Sequence, residues 1–290
     1  PDFPQPCADP RMTALMRQAG KAAVGALLAL IGCGRHKPFA DEARLDRGLV
    51  LVLPGIEGKG LHNRMIRDGL AHGGVPGAIE ICDWTFARWL SFFYNLRAED
   101  RNRRRAAEIV GRIETYQRER PGRPVFLVGQ SGGAAMAAFI AEALPDEHPV
   151  EGIVMLAAAL SPDYPLQQAL AHSRRGIVSS YSRFDMVYLG AGTAVFGTSD
   201  GRHGSAAGRI GFRNPQGAEA YRKLYQVPWR REMVRQWNLG GHHTSGTDRF
   251  VAKFIAPLLR IDHWDAEKVT GVFTSGPGTE SEVSQEAAGG

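Results

Sequence analysis

The chain has 290 residues, 43% hydrophobic and 22% charged, with a net charge of +5 at pH 7. That balance excludes a disordered or fibrous chain and supplies core for one domain of about 240 residues with tails. Three cysteines exclude a disulfide-built scaffold, and the basic excess does not by itself imply a nucleic-acid partner, so none is expected.

The first stretch reads as a processing signal. "PDFPQPCADPR" is Pro-rich, and Met12 or Met16 is the expected start. Arg17 and Lys21 precede "AAVGALLALIG", an apolar run of signal-peptide length that is short for a membrane span. The run ends in "LIGCG", where Leu30, Gly32 and Cys33 resemble the lipobox of bacterial lipoprotein signals. The resemblance implies cleavage before Cys33, a lipid on its thiol, and a product anchored at a membrane on the periplasmic or cell-surface side. An ordinary secretory signal and a buried cytoplasmic helix are the alternatives. Residues 1–33 are set apart as upstream and signal region. Cys82 is then the one cysteine of the mature chain, read as a buried thiol.

Residues 34–270 read as one domain of alternating strands and helices. "GLVLVLP" (Gly48–Pro54) is a strand buried on both faces. "GIEGKG" is a turn, "LHNRMIRDGLAHGG" a helix stopped by its Gly pair, and "GAIEICDW" a second strand. A helix over Ala98–Gln117 places Ala106, Ile109, Val110, Ile113 and Tyr116 on one face. "VFLVG" is the third strand, Ser131–Leu144 a helix, "VEGIVMLAAA" the fourth strand and "GIVSSYS" the fifth. "EMVRQWNL" is read as the sixth strand and "DRFVAKFIAPLL" as a closing helix. The alternation predicts an α/β fold, a mostly parallel central sheet with helices on both faces. Residues 271–290, ending "SGPGTESEVSQEAAGG", read as a disordered polar tail.

"FLVGQSGGAAMAAF" places Ser131 between glycines where a strand becomes a helix. Such a turn is sharp, so its neighbours Gly129 and Gly133 must lack side chains. The helix points its first N–H groups at the site, and Gly132 N–H is placed to hold an oxyanion. Phosphate-loop and dinucleotide spacings are absent from this turn. A nucleophilic Ser needs a base and an orienting acid. Asp185 follows the fifth strand in "SSYSRFDMVYLG", and His242 follows Gly240-Gly241 in "WNLGGHHTSGTDRF". Asp163 and Asp200 compete for the acid, and His243 for the base. No H-E-x-x-H occurs, and no metal site is expected.

With these residues in chain order, the segment from Gly48 to Leu259 resembles an α/β-hydrolase of the lipase/esterase type. The resemblance implies Ser131 as nucleophile, Asp185 as acid and His242 as base. It places "LPGIEG" where the family carries its oxyanion loop, with Pro54 in place of a His and Ile56 giving the second N–H. It implies a serine hydrolase of a small-molecule ester or related acyl substrate, with no cofactor. An acyltransferase with the same triad and a non-catalytic binding lipoprotein on the same fold are the alternatives; the sequence does not fix the oligomeric state.

Three further features have bland readings. The basic run "RAEDRNRRRAAE" is a solvated helix face, with anionic lipid contact as the alternative. Trp84, Trp89, Phe92, Phe93 and Tyr94 pack in the core or wall an acyl pocket. "GAGTAVFGTSDGRHGSAAGRIGF" is a lid or pocket wall.

Overall fold

The computed structural model describes residues 39–85, 98–186, 198–213 and 218–274. The signal region with Cys33, and Trp89, Phe92, Phe93 and Tyr94, lie outside the described residues.

The elements, in chain order, are α1 (Glu42–Leu45), β1 (Leu49–Leu53), α2 (Leu61–His72), β2 (Ala78–Ile81), α3 (Glu99–Glu119), β3 (Val125–Gln130), α4 (Gly132–Ala143), β4 (Gly152–Leu156), α5 (Gln167–Ala171), β5 (Ile177–Tyr181), α6 (Ala207–Ile210), β6 (Leu224–Pro228), α7 (Asp248–Phe250), α8 (Ala256–Arg260) and α9 (Ala266–Thr274). A π turn over Val251–Ile255 joins α7 to α8, where the expected closing helix lies. Pro257, which has no N–H to donate, sits at the start of α8.

The strands form one six-stranded sheet in the order β2-β1-β3-β4-β5-β6. Every pairing is parallel. The alternating side chains explain why both faces are covered. Leu49, Leu51 and Leu53 of β1 join Leu127, Ile153 and Met155 in the core under α3, α4 and α5. Val50 and Val52 join Phe126, Val128 and Val154 in the core under α2, α8 and α9. A strand with period-2 geometry and apolar residues at every position has no face to offer water, so helices must cover both sides.

The chain runs from β1 out to β2, then crosses back to lay β3 on the other side of β1. That reversal leaves a crevice at the carboxyl ends of β1 and β3, the place where open parallel sheets hold ligands.

The sixth strand is a correction. It is Leu224–Pro228, whereas "EMVRQWNL" overlaps a 3₁₀ helix, Arg231–Gln236, that ends at Trp237 with φ 65°. "LYQVP" is hard to read as a strand because Gln226 interrupts it and Pro228 closes it. Both fit an edge strand. Pro there needs no ladder partner, and the Gln226 amide takes the place of a neighbouring strand by bonding Phe212 N at 2.6 Å and Phe212 O at 2.9 Å.

The helix over α3 buries the expected stripe, Ala106, Ile109, Val110, Ile113 and Tyr116. Three of its basic residues are tied down: Arg103 pairs with Glu99 at 2.9 Å and Glu142 at 3.0 Å, Arg105 with Glu108, and Arg101 donates to the Trp84 carbonyl. At the other end, α9 extends to Thr274 and buries Phe273, so the first residues after 270 are packed against the sheet. Residues 275–290 lie outside the described residues.

Candidate active site

The turn after β3 is built as the spacing requires. Ser131 has φ 55° and ψ −120°, a conformation that L-residues rarely adopt. It is held by three backbone bonds: its N–H donates to Leu156 O at 2.9 Å, and its carbonyl accepts from Ala134 N at 3.0 Å and Ala159 N at 3.2 Å. A Cβ at Gly129 would meet Gly133 O at 2.3 Å, and one at Gly133 would meet Leu53 O at 2.0 Å. The expected crowding is therefore real, but Gly133 clears the backbone of β1 more closely than it clears its own turn. This strained elbow persists because the surrounding backbone over-determines it.

The expected acid and base meet at the same edge. His242 Nδ1 lies 2.6 Å from Asp185 Oδ2, with both side chains buried. A carboxylate only accepts, so Nδ1 carries the proton and Nε2 is left to take another. Two side chains the sequence does not single out set this loop. Asn238 is buried, and its Oδ1 accepts from Gly240 N at 3.0 Å and from the Thr244 hydroxyl at 3.3 Å. Gln130, the residue before Ser131, donates from Nε2 to the His242 carbonyl at 3.4 Å and so ties the base loop to the end of β3. Gly240 has φ 82°, and a Cβ there would press on Ser182 Oγ and Phe184. The Ser131 hydroxyl makes no hydrogen bond among the described residues; such contacts are commonly looser without substrate than with it.

The competing residues are otherwise engaged. Asp163 is exposed and pairs with Arg213 at 2.9 Å. Asp200 binds Ser161 N at 2.9 Å, the Ser161 hydroxyl at 2.5 Å and the Thr198 hydroxyl at 2.6 Å, an arrangement that caps its loop. His243 is exposed, with its ring edge-on to His62 at 5.3 Å.

The expected oxyanion loop is a tight turn closed by Gly58 N donating to Gly55 O at 3.0 Å, with Ile56 and Glu57 at its centre. Ile56 N lies 3.4 Å from where a Gly132 Cβ would be, so this turn packs against the start of α4 beside Ser131. Trp84 is buried behind them and donates to the Pro54 carbonyl at 2.7 Å. It packs as core, and it also braces this loop.

Titratable groups crowd the same corner. Burial pushes the Glu57 carboxyl up, while nearby His242 opposes that shift, and Glu57 Oε1 is buried without a partner. Burial pushes His62 down to about 4, assisted by His243 and His242. Partial burial and nearby His242 push His243 down, opposed by Asp185. Among the described residues no group of three or more such side chains is placed to hold a metal ion. Cys82, expected to be buried, is half-buried at the edge of the core, and desolvation raises its thiol, which suits an unreactive cysteine.

Part of the presumed lid is visible. From Thr198 to Phe212 it is stitched to the loop after β4, by Ser199 N to Ala159 O, Ala207 N to Leu160 O and Gly208 N to Ala158 O, all at 2.8–2.9 Å. This half is fastened to that loop; 190–197 lie outside the described residues.

No family model matches the chain, and no curated protein matches it. Solved structures do. The poly(3-hydroxybutyrate) depolymerase LpqC of Bordetella parapertussis is 16% identical, with 80% of this chain and 87% of that chain covered and a TM-score of 0.46. A cutinase of Trichoderma reesei is 14% identical, with 81% and 84% covered and a TM-score of 0.39. Lipase B of Aspergillus fumigatus is 12% identical, with 81% and 59% covered and a TM-score of 0.45. Likenesses at this level carry no weight for activity or substrate. The fold class rests on the chain's own features, a parallel sheet between two helical layers with an elbow after β3, which are those of the α/β-hydrolase fold.

Proposed function

We propose that the protein is a serine hydrolase acting on a carboxylic ester or related acyl substrate. The observation that carries this is the joint placement of Ser131, on a positive-φ elbow, and the bonded Asp185–His242 pair at one edge of the sheet. Ser131 Oγ attacks the carbonyl carbon while His242 Nε2 takes its proton. Gly132 and Ile56 N–H groups hold the oxyanion that forms. Its collapse breaks the bond to the leaving alcohol, which takes the proton from His242. Water then repeats the sequence on the acyl-enzyme, releasing the acid and freeing Ser131. Asp185 keeps the imidazole in the tautomer this needs and stabilises it when charged.

Treatment of the full chain with a fluorophosphonate, followed by peptide mapping, tests the reading. Label should fall on Ser131 and be slowed strongly by His242→Ala. Stoichiometric label elsewhere, or undiminished hydrolysis in Ser131→Ala, overturns it.

Export with a lipid on Cys33 is a second proposal, supported by "LIGCG" alone. Cys33→Ala should move the protein out of the membrane fraction; an unchanged distribution removes the proposal.

A further inference from the structure

Beside the acid–base pair lies a face that is unusual for a water-exposed surface. Phe184 is 64% exposed, Met186 61%, Trp237 60% and Leu239 60%. Single exposed apolar residues are ordinary, but contiguous ones mark a contact surface. Here they sit on two segments that Trp229 and Gly240 tie together. Phe184 packs edge-on against Trp229 with ring centroids 5.0 Å apart. Phe184 also touches the position of Gly240, and the Trp229 indole donates to the Asn238 carbonyl at 2.9 Å. Asn238 is the residue between Trp237 and Leu239. A groove of about 290 Å³, lined by Tyr181, Arg183, Phe184, Pro228 and Trp229, opens on this face.

The charge is as one-sided as the apolar content. Arg183, Arg230, Arg231, Arg235 and Arg249 are exposed on the same segments, and Glu232 is the one acid between Arg230 and Leu239. Among the described residues none of these arginines is ion-paired, in contrast to Arg103 and Arg105 on α3. The Arg249 guanidinium sits 5.7 Å from the Trp237 ring centre. Trp237 itself ends its 3₁₀ helix at φ 65°, where a glycine would meet no steric penalty. The chain keeps an exposed indole at a backbone position that disfavours it.

We propose that this face docks on an anionic phospholipid surface, with Trp237, Leu239, Phe184 and Met186 entering the interfacial layer and the arginines meeting the phosphates. Indole and phenyl rings suit the boundary between hydrocarbon and headgroups, and unpaired guanidiniums suit lipid phosphate. A second copy of the chain fits poorly, because a twofold contact through this face would set arginines against arginines. The docking stands apart from the proposed chemistry. Its consequence, that Asp185 and His242 are brought to the lipid boundary, rests on that chemistry.

The test uses the full chain carrying Cys33→Ala, so that no lipid on that residue contributes. Sedimentation with phosphatidylcholine vesicles is compared with sedimentation with phosphatidylcholine–phosphatidylglycerol vesicles. Binding to the mixed vesicles alone, weakened by salt, is expected. Arg230→Glu with Arg231→Glu and Arg235→Glu should lower the partition about a hundredfold. Trp237→Ser with Leu239→Ser should lower it about tenfold. Both variants should turn over a short soluble ester at the parental rate. Ser131→Ala should bind vesicles as its parent does, so a failure of the hydrolase reading leaves this result untouched. No binding to either vesicle, equal binding to both, or undiminished binding in the two variants overturns the proposal. So does salt-sensitive binding to polyglutamate without binding to vesicles, which would make the face a site for an acidic protein.

Discussion

At Gly133 a single added Cβ would stand 2.0 Å from the Leu53 carbonyl oxygen; at Trp237 an entire indole stands 60% exposed. Both positions serve the same edge of the sheet, one at the elbow and one on the rim beside His242. The elbow is determined by backbone: Leu53, Pro54, Leu156 and Ala159 fix where Ser131 can be. The rim is determined by side chains that face out, and the backbone beneath them would accept smaller ones. The difference separates what the fold needs from what a surface does. A position whose neighbours are main-chain atoms cannot relax around a change, whereas an exposed position has nothing to relax.

The largest expected effect breaks the elbow. Gly133→Val should cost more than about 4 kcal/mol and leave little folded protein, because carbonyls of β1 cannot move without disturbing the sheet. Gly111→Ala is the control. A Cβ there meets nothing within 4 Å on α3, so the change should stabilise by roughly 0.5–1 kcal/mol. Urea midpoints compare the two directly. Similar losses at both glycines would show that the elbow is not sterically determined.

The next effect is on rate. Asp185→Asn should lower turnover by about 10⁴ while leaving the melting temperature nearly unchanged, as loss of the correct His tautomer does in such triads. Asp163→Asn, which removes only an exposed pair with Arg213, should leave turnover within about twofold. The opposite pattern would move the acid to the loop after β4.

What was legible in the sequence follows from the same distinction. The elbow announced itself because backbone crowding leaves a mark on residue type: Gly129 is crowded by its own turn, Gly132 by Ile56 and Gly133 by the β1 backbone, and all three marks fall within five residues of sequence. Strands β1, β3 and β4 were legible because burial on both faces leaves almost no polar residue in them, Gln130 at the end of β3 being the exception. Strand β6 was not, because an edge strand can carry Gln226 and end in Pro228, and "EMVRQWNL" is the more apolar-looking segment nearby. Met233 of that segment is buried but Val234 is exposed, which suits a 3₁₀ turn. Gln130, Asn238, Glu57 and His62 were invisible for another reason. Gln130, Glu57 and His62 matter through groups far away in the chain, as Gln130 does through the His242 carbonyl 112 residues on, while Asn238 acts within its own loop, on Gly240 and Thr244, where nothing in its residue type sets it apart.

His62 supplies a pH test of that hidden corner. Its folded value of about 4 lies below the ordinary value of 6.5. Between those limits the unfolded chain binds a proton that the folded chain refuses. Stability is therefore fully present above 6.5 and is lost as pH falls toward 4, by up to ~3 kcal/mol. Urea unfolding of wild type at pH 7.5 and 4.5 should show this loss, and His62→Gln should flatten it. An unchanged slope in the variant would place the proton-linked loss elsewhere.

The smallest expected effect is the sharpest probe of the rim. Trp237→Gly should leave stability within about 0.5 kcal/mol of wild type, since relief of a left-handed backbone position offsets the entropy glycine adds to the unfolded chain. Four residues earlier in the same 3₁₀ segment, Met233 is fully buried, and Met233→Ala should cost about 2–5 kcal/mol. Equilibrium unfolding of the two variants measures the contrast. If Trp237→Gly proved as costly as Met233→Ala, the indole would be part of the fold, and its exposure would no longer point to a partner. If the cost is near zero, the side chain contributes nothing to folding that would account for its place on the surface. Its remaining use is then what it touches from outside, and vesicle binding by the same variant reads that use directly.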